Sequence, residues 1–154
     1  MRSRRAFSLI ELVIVVMIIG VIGAIAVPRL SRGSEGARIN AFVAELNTFA
    51  TGIDRYVIEN GNRFSDSGTG EMPKELHGYL HENAWKGETP IGGFWDVESN
   101  DTGGVALAVG VHYMNVKVDT DAVEAVDRLI DDGSLQTGAF RELARDRFYL
   151  ILQH

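Results

Sequence analysis

The chain opens with a long apolar segment. Sixteen uncharged residues run from Leu12 to Val27, and the apolar segment as a whole covers residues 7–27. As an α-helix these 21 residues span about 31 Å, which matches the hydrocarbon core of a bilayer at about 30 Å. The pattern therefore predicts a membrane-spanning helix near the N-terminus.

A second apolar pattern follows at helical spacing. Intervals of three and four residues separate Ile39, Phe42, Leu46, Phe49, Ile53 and Tyr56. They define one face of an amphipathic helix, and Asn-Gly-Asn at residues 60–62 ends it. We expect this stripe to pack on the chain's own sheet; the alternative, a coiled-coil seam, would last under three heptads. Together the two patterns predict one helix from Phe7 to about Glu59.

Shorter patterns predict the remaining elements. In chain order they are a polar loop over 62–70, a short helix over 71–85, a first strand through 94–97, a central strand over 105–113, a helix over 119–132 capped by Asp119 or Thr120, a connecting stretch over 134–143 and a final strand over 148–152. A long helix followed mainly by strands predicts an α+β fold, with the helix packed on a small, mostly antiparallel sheet.

One carboxylate stands at the head of the apolar segment. Glu11 ends the run Phe-Ser-Leu-Ile-Glu, and residues 1–6 before it form a short leader with three arginines. A charge within the hydrocarbon costs about 3 kcal/mol on insertion scales, so an acid there indicates a functional position with a partner.

This N-terminus resembles that of type IV prepilins and type II secretion pseudopilins, which combine a basic leader, a small residue at the cut, Phe-Thr/Ser-Leu-Ile-Glu and an apolar helix. The resemblance implies that prepilin peptidase cuts between Ala6 and Phe7 and methylates the new Phe7 amine. Family members usually carry Gly where this chain has Ala6. The Thr89–Val97 stretch also resembles the entry to the first strand of many pilin-like proteins.

The resemblance further implies a domain order and a set of assembly residues. Residues 1–6 would be the leader, 7–28 the transmembrane and assembly helix, and 29–154 a periplasmic globular domain that includes the second half of the helix. The whole would have the lollipop shape of pilins. The implied assembly residues are Glu11, Gly20, Ala24 and Pro28.

Each assembly residue has a stated physical role. Glu11 would pair with the Phe7 amine of a neighbouring subunit in a staggered filament, which fixes the register because an unpaired carboxylate penalises wrong registers. Gly20 and Ala24 would form a small-xxx-small face for close helix approach. Pro28 would cause a kink or local unwinding between Gly20 and Pro28.

The implied function is assembly of a pilus-like filament, with a type II secretion pseudopilin as the first choice and a major or minor type IV pilin as the second. The implied partners are other pilin-like subunits, prepilin peptidase, an inner-membrane assembly platform and the membrane itself. The implied location is the inner membrane, crossed once, with the C-terminal domain in the periplasm.

A different class remains open: a binding module or enzyme held by a signal anchor or released by signal peptidase. The segment Ala24-Ile25-Ala26 imitates an A-x-A cleavage site. That alternative leaves Glu11 unexplained.

The charge and the cysteine content of the chain exclude some classes of function. The formal charge is −6, and removal of the three leader arginines leaves 12 basic against 21 acidic side chains, a charge of −9. Such a surface argues against nucleic-acid binding, which needs basic neutralisation of phosphates. The chain has no cysteine, which excludes disulfides. Many major type IV pilins close a C-terminal loop with a disulfide, so its absence favours a pseudopilin.

Candidate chemistry is sparse. His77 and His81 would share one side of a helix, as metal ligands do, but the Glu of H-E-x-x-H and a third ligand are missing, so we expect a solvated helix face. No G-x-S-x-G serine or phosphate-binding glycine loop occurs. We therefore expect no enzyme activity and no cofactor.

Calcium is the one cofactor alternative. Carboxylate oxygens are the ligands that Ca²⁺ prefers, although the chain lacks an EF-hand pattern. The candidate ligands form two groups, Asp96, Glu98 and Asp101, or Asp119 and Asp121.

Overall fold

The computed structural model describes residues 8–61, 64–99 and 104–153, and for residues 25–32 only the backbone. The chain divides into two compact units, Met1–Gly36 and Ala37–His154. Helix α1 (Leu9–Asn60) begins in the first unit and ends in the second. Helix α1 continues through Pro28, so local unwinding between Gly20 and Pro28 is not observed. The alternative predicted there, a kink, stays a prediction.

The globular unit is built on a four-stranded sheet. Its strands are β1 (Phe94–Glu98), β2 (Leu107–His112), β3 (Phe140–Ala144) and β4 (Arg147–Gln153). They lie in the order β1-β2-β4-β3 and every neighbouring pair is antiparallel. The predicted α+β class with a small antiparallel sheet is confirmed.

The second half of α1 packs on one face of this sheet. The predicted apolar stripe is buried with Trp95 in a single core. The Trp95 ring stacks on Phe42, with ring centroids 4.9 Å apart and planes 5° apart, and meets the edge of Phe49 at 4.8 Å. The prediction that the stripe packs on the chain's own sheet is therefore confirmed.

The connecting stretch predicted over 134–143 is partly wrong, because β3 begins at Phe140. Only Phe140 of this strand is buried, and two of its five residues are charged. Short, charged strands are typical of sheet edges, and β3 pairs with β4 alone. Such a strand lacks the apolar alternation from which strands are predicted.

The helix predicted over 71–85 is also wrong. The structure has a 3₁₀ turn (Lys74–Leu76) and a four-residue helix α2 (Glu82–Trp85) in its place. Gly78 between them has φ +91°, a left-handed conformation that ends a right-handed helix. Leu76 and Trp85 are nevertheless fully buried. The apolar residues of this stretch therefore indicated which side chains are buried, although they do not lie on one helix.

Helix α3 (Thr120–Ile130) connects β2 to β3. The Asp119 side chain caps it by accepting the Ala122 amide at 3.2 Å, and Gly133 beyond its end has φ +82°. Both termini follow the usual preferences for caps. The predicted helix, its cap and its stop are confirmed.

Candidate assembly site at the start of the first helix

Helix α1 begins with the glutamate half of a capping box. The Ser8 amide donates to Glu11 Oε2 at 3.0 Å, and the Leu12 amide donates to the Ser8 carbonyl at 3.2 Å. In the S-x-x-E arrangement the glutamate satisfies a backbone donor that the helix itself leaves unpaired. The S-x-x-E pattern is present in the sequence at residues 8–11. The sequence analysis interpreted Glu11 only as an intermolecular partner and missed this role at the helix start.

The first turns of α1 present apolar side chains in every direction. All large apolar residues from Leu9 to Ile22 are exposed, from 44% at Val13 to 80% at Leu9. A helix that is apolar all round is stable only when something outside it covers those side chains. Exposed apolar surface of this extent indicates an interaction site.

The implied small-residue face lies within the same segment. A Cβ at Gly20 would meet nothing within 4 Å, and Ala24 is exposed. Four residues apart, the two positions share one helix face.

In the part of the chain that the structure describes, no helix has both the length and the apolar character to cross a membrane.

Three of the implied site residues fall outside this description. Ala6 and Phe7 lie outside the described residues, and so does the side chain of Pro28. Cleavage after Ala6 and methylation of Phe7 therefore stay predictions.

Residues 1–27 match the family model of the prokaryotic N-terminal methylation motif, the signature of type IV pilins and pseudopilins. The N-terminus of the chain is pilin-like. The resemblance of this N-terminus to those of prepilins and pseudopilins is confirmed, and the motif indicates a structural subunit. No curated protein and no solved structure matches the chain. The pilin-like assignment thus rests on the N-terminus, and the globular unit is interpreted from its own structure.

His77 and His81 do not lie together on one helix, as the sequence pattern had suggested for metal ligands. His77 directly follows the 3₁₀ turn and His81 directly precedes α2, so the helix that would align them is absent. His77 Nδ1 instead lies 3.3 Å from Glu82 Oε1, and both side chains are about half exposed. The surface is solvated, as expected, but it is not a helix face.

The structure describes four of the five predicted calcium ligands, and calcium binding by them stays a prediction. Asp96 and Glu98 are buried in β1, and Asp101 lies outside the described residues. Asp119 serves as the α3 cap and Asp121 is exposed in the first turn. Among the described residues, one set of three carboxylates does converge, and it consists of Asp127, Asp131 and Asp132. The sequence analysis did not single out these residues.

Asp96 belongs to a buried polar cluster on the sheet face opposite α1. Its Oδ2 atom accepts the Tyr149 hydroxyl at 2.8 Å and lies 3.4 Å from His112 Nδ1. The same imidazole contacts Thr69 Oγ1 at 2.7 Å through Nδ1 and Asp146 Oδ2 at 3.2 Å through Nε2. These five residues, Thr69, Asp96, His112, Asp146 and Tyr149, are called the polar cluster below.

Burial shifts the pKa of two members of the polar cluster, Asp96 and Tyr149. Burial raises the pKa of Asp96, and the Tyr149 hydroxyl opposes that rise by hydrogen bonding to the carboxylate. Burial, together with the negative charge of Asp96, raises the pKa of Tyr149. Tyr149 therefore stays protonated and acts as a donor.

The polar cluster joins segments that are distant in sequence. Thr69 belongs to the loop after α1, and Asp146 to the turn between β3 and β4. Both reach His112 of β2, beside Asp96 of β1. A hydroxyl, an imidazole and a carboxylate in series are also the components of a nucleophilic relay. Here Thr69 and Asp146 fasten a loop and a turn to β2 through His112, and Tyr149 joins β4 to Asp96 of β1. We assign the cluster a structural role.

Removal of the Tyr149 hydroxyl tests this role. We expect Tyr149→Phe to destabilise the fold by about 1–3 kcal/mol, because a buried carboxylate loses its donor. The matched control is Tyr79→Phe, which removes a hydroxyl bonded to the exposed Glu59 at 2.8 Å and should cost much less, because water replaces the lost donor at an exposed carboxylate. Urea unfolding followed by the fluorescence of the two buried tryptophans measures both values.

The loss of folding stability in the Tyr149→Phe variant should depend on pH. Since the pKa of Asp96 is raised in the fold, protonation of Asp96 favours the folded state at low pH. Loss of the Tyr149 donor raises that pKa further. The loss of folding stability in the Tyr149→Phe variant should therefore be largest at neutral pH. It should become smaller as the pH falls through the pKa of Asp96. Equal losses in the Tyr149 and Tyr79 variants would contradict the structural role.

Proposed function

We propose that this pilin-like chain is a pseudopilin, a structural subunit of a filament in a type II secretion apparatus. Residues 7–27 would insert once into the inner membrane, with residues 29–154 on the periplasmic side. The observation that carries the proposal is the methylation motif over residues 1–27, which includes the start of α1, where the large apolar side chains from Leu9 to Ile22 are exposed.

The proposed mechanism begins with processing. Removal of residues 1–6 frees the Phe7 amine, a positive charge four residues before Glu11. In a staggered filament the amine of one subunit would face the Glu11 carboxylate of the next. In a low-dielectric environment an unpaired charge is strongly unfavourable, so the pair selects one axial register among many apolar contacts.

Close packing of neighbouring helices would complete the contact. The small residues Gly20 and Ala24 allow two helix backbones to approach, and the surrounding branched side chains supply dispersion contacts. The partners are other pilin-like subunits, prepilin peptidase and an inner-membrane assembly platform. No nucleic acid is required, in keeping with the acidic charge of −6.

The absence of cysteine from the sequence favours a pseudopilin over a type IV pilin with a disulfide-closed loop, and the type IV pilin stays the second candidate. An anchored enzyme or binding module would give Glu11 no function beyond capping, whereas assembly uses its charge.

The mature N-terminus tests this proposal. We expect mass spectrometry of membrane-extracted protein to find a chain that starts at N-methyl-Phe7. A start at Val27 would indicate an ordinary secretory signal, and an intact Met1 a simple anchor; either result contradicts the proposal. The control variant Ala6→Gly restores the residue usual in the family and should be cut after residue 6 at least as completely.

A further inference from the structure

A tight turn between β2 and α3 exposes two apolar side chains. The Val116 amide donates to the Tyr113 carbonyl at 3.2 Å, and Asn115 between them has φ +59°, a left-handed conformation that asparagine tolerates better than most residues. Met114 and Val116 are 45% and 43% exposed, and Lys117 after them is exposed as well. The four residues that follow Tyr113 are called the tip below.

The base of the tip is held by the globular unit. Tyr113 is buried, its amide donates to the Asp146 carbonyl at 2.8 Å, and its hydroxyl donates to the Ile91 carbonyl at 3.2 Å. Its ring meets the Phe148 ring edge-on, with centroids 6.1 Å apart. The tip therefore projects from a fixed base, and the exposure of its two apolar side chains is built into the fold.

Exposed cations lie near the base of the tip. Lys117 belongs to the tip, and Arg145 lies in the turn between β3 and β4, whose next residue accepts the Tyr113 amide. Arg38 Nε donates to the Pro90 carbonyl at 2.7 Å, one residue before the carbonyl that accepts the Tyr113 hydroxyl. All three cationic residues are exposed. Apolar and basic side chains thus meet at one end of the globular unit, although the whole chain has a charge of −6.

Two acids beside these cations have partners inside the unit. Asp119 accepts the Ala122 amide at 3.2 Å at the start of α3, and the Asp146 carboxylate lies 3.2 Å from the imidazole of the polar cluster. Lys117 and Arg145 therefore remain available to an anion outside the chain.

We propose that the tip docks on an anionic lipid surface, with its two apolar side chains in the headgroup region and Lys117 and Arg145 on lipid phosphates. Apolar burial and attraction to anionic headgroups both favour such a contact. Arg38, close to the base of the tip, is the second residue of the globular unit, so little chain separates it from the apolar segment. The inference rests on the proposed membrane insertion of that segment.

The size of the tip favours a lipid surface over a protein partner. A stable protein interface buries about 1,200 Å² or more, which two apolar side chains cannot supply. A chain that is already inserted in the bilayer holds its own tip at a high effective concentration near the lipid, so a weak contact is sufficient.

Single-cysteine labelling of the full chain tests the inference, because the sequence has no cysteine of its own. The chain is reconstituted in vesicles of phosphatidylglycerol and phosphatidylethanolamine, with an environment-sensitive fluorophore attached at Val116→Cys. Doxyl-labelled lipids should quench this fluorophore at least about twofold more than one at an exposed control position. The control is Ile58→Cys in α1, where the native side chain is 82% exposed. About 0.5 M NaCl should weaken the quenching at position 116, because salt screens the phosphate contacts.

Charge reversal tests the role of the cations. In the chain labelled at position 116, Lys117→Glu and Arg145→Glu should each reduce the quenching, because each places an acid against lipid phosphates. Arg128→Glu makes the same change in the last turn of α3 and should leave the quenching unchanged. Equal effects of all three reversals would contradict the assignment of Lys117 and Arg145.

A second label separates this inference from the proposed function. A fluorophore at Val16→Cys reports on insertion of the apolar segment itself. Quenching at position 16 without quenching at position 116 overturns the inference and leaves the proposed insertion intact, whereas no quenching at position 16 overturns both. Equal quenching at position 116 in phosphatidylcholine vesicles would show that anionic lipid is not required. A blue shift that disappears when the protein is diluted in lipid would show contact with another subunit. Either result overturns the proposal.

Discussion

Replacement of Gly110 by alanine should unfold the globular unit or lower its unfolding midpoint by roughly 10 °C or more. Gly110 lies in β2, opposite Asp96 of β1 on one side and Tyr149 of β4 on the other. A Cβ there would overlap the Phe148 carbonyl and lie 2.6 Å from Tyr149 Cα. Because these obstacles are backbone atoms, no change of rotamer relieves the overlap, and β2 and β4 must separate.

The expected loss is about 3 kcal/mol or more, the upper end for insertion of a methyl group into a packed interior. Domains of this size have a total stability of about 5–15 kcal/mol. The displacement also moves Tyr149 away from Asp96, so the polar cluster weakens together with the sheet.

Gly36→Ala serves as the control for this experiment. A Cβ at Gly36 in α1 would meet nothing within 4 Å, so alanine should be neutral or stabilise the helix by up to about 1 kcal/mol. Tryptophan fluorescence during thermal unfolding reports on both variants, since Trp85 and Trp95 are buried. A wild-type midpoint for Gly110→Ala would contradict the pairing of β2 with β4 described here.

Replacement of Glu11 by leucine should leave membrane recovery unchanged or increase it while filament recovery falls roughly tenfold or more. The substitution removes the insertion cost of a charge, about 3 kcal/mol on insertion scales. It also leaves the Phe7 amine of a neighbouring subunit unmatched at every contact, and a loss of about 1.4 kcal/mol per contact already changes an equilibrium tenfold. Subunit recovery from sheared filaments is compared with recovery from the inner membrane.

Glu11→Gln separates the two roles of this side chain. Glutamine also serves in a capping box, so it can keep the bond to the Ser8 amide while it removes the charge. We expect both variants to lose filaments. Assembly by the Gln variant alone would show that the cap, not the charge, is what matters. Unchanged filament yield in the Leu variant, expressed as the single subunit, would show that Glu11 does not set the register.

The sequence predicted the elements whose signals are local. The apolar stripe of α1 repeats over five intervals. The residues that cap and end α3 lie close to the helix in the sequence. Strands β1, β2 and β4 carry dense apolar or β-branched residues. In each case a few adjacent residues contain the information, because capping, periodicity and β-propensity act over short distances.

The features that were missed depend on distant partners. Thr69 and His112 are 43 residues apart, and Asp96 and Tyr149 are 53 apart, so their contact exists only once the sheet has formed. The pair Asp131-Asp132 is visible in the sequence, but nothing local shows that Asp127 is buried beside it. The helix predicted over 71–85 failed because Gly78 reverses the backbone while the apolar residues on either side still reach the core.

The contact between Ser8 and Glu11 bears on the order of events during processing. Both residues lie after the proposed cut, so the bond from the Ser8 amide to Oε2 of Glu11 joins two residues that the mature chain would keep. The described contacts occupy Oε2 alone, and Oε1 is left to a second donor. In the proposed scheme, proteolysis acts as an electrostatic switch, because it places a new cation on each subunit opposite an acceptor that its neighbour already carries.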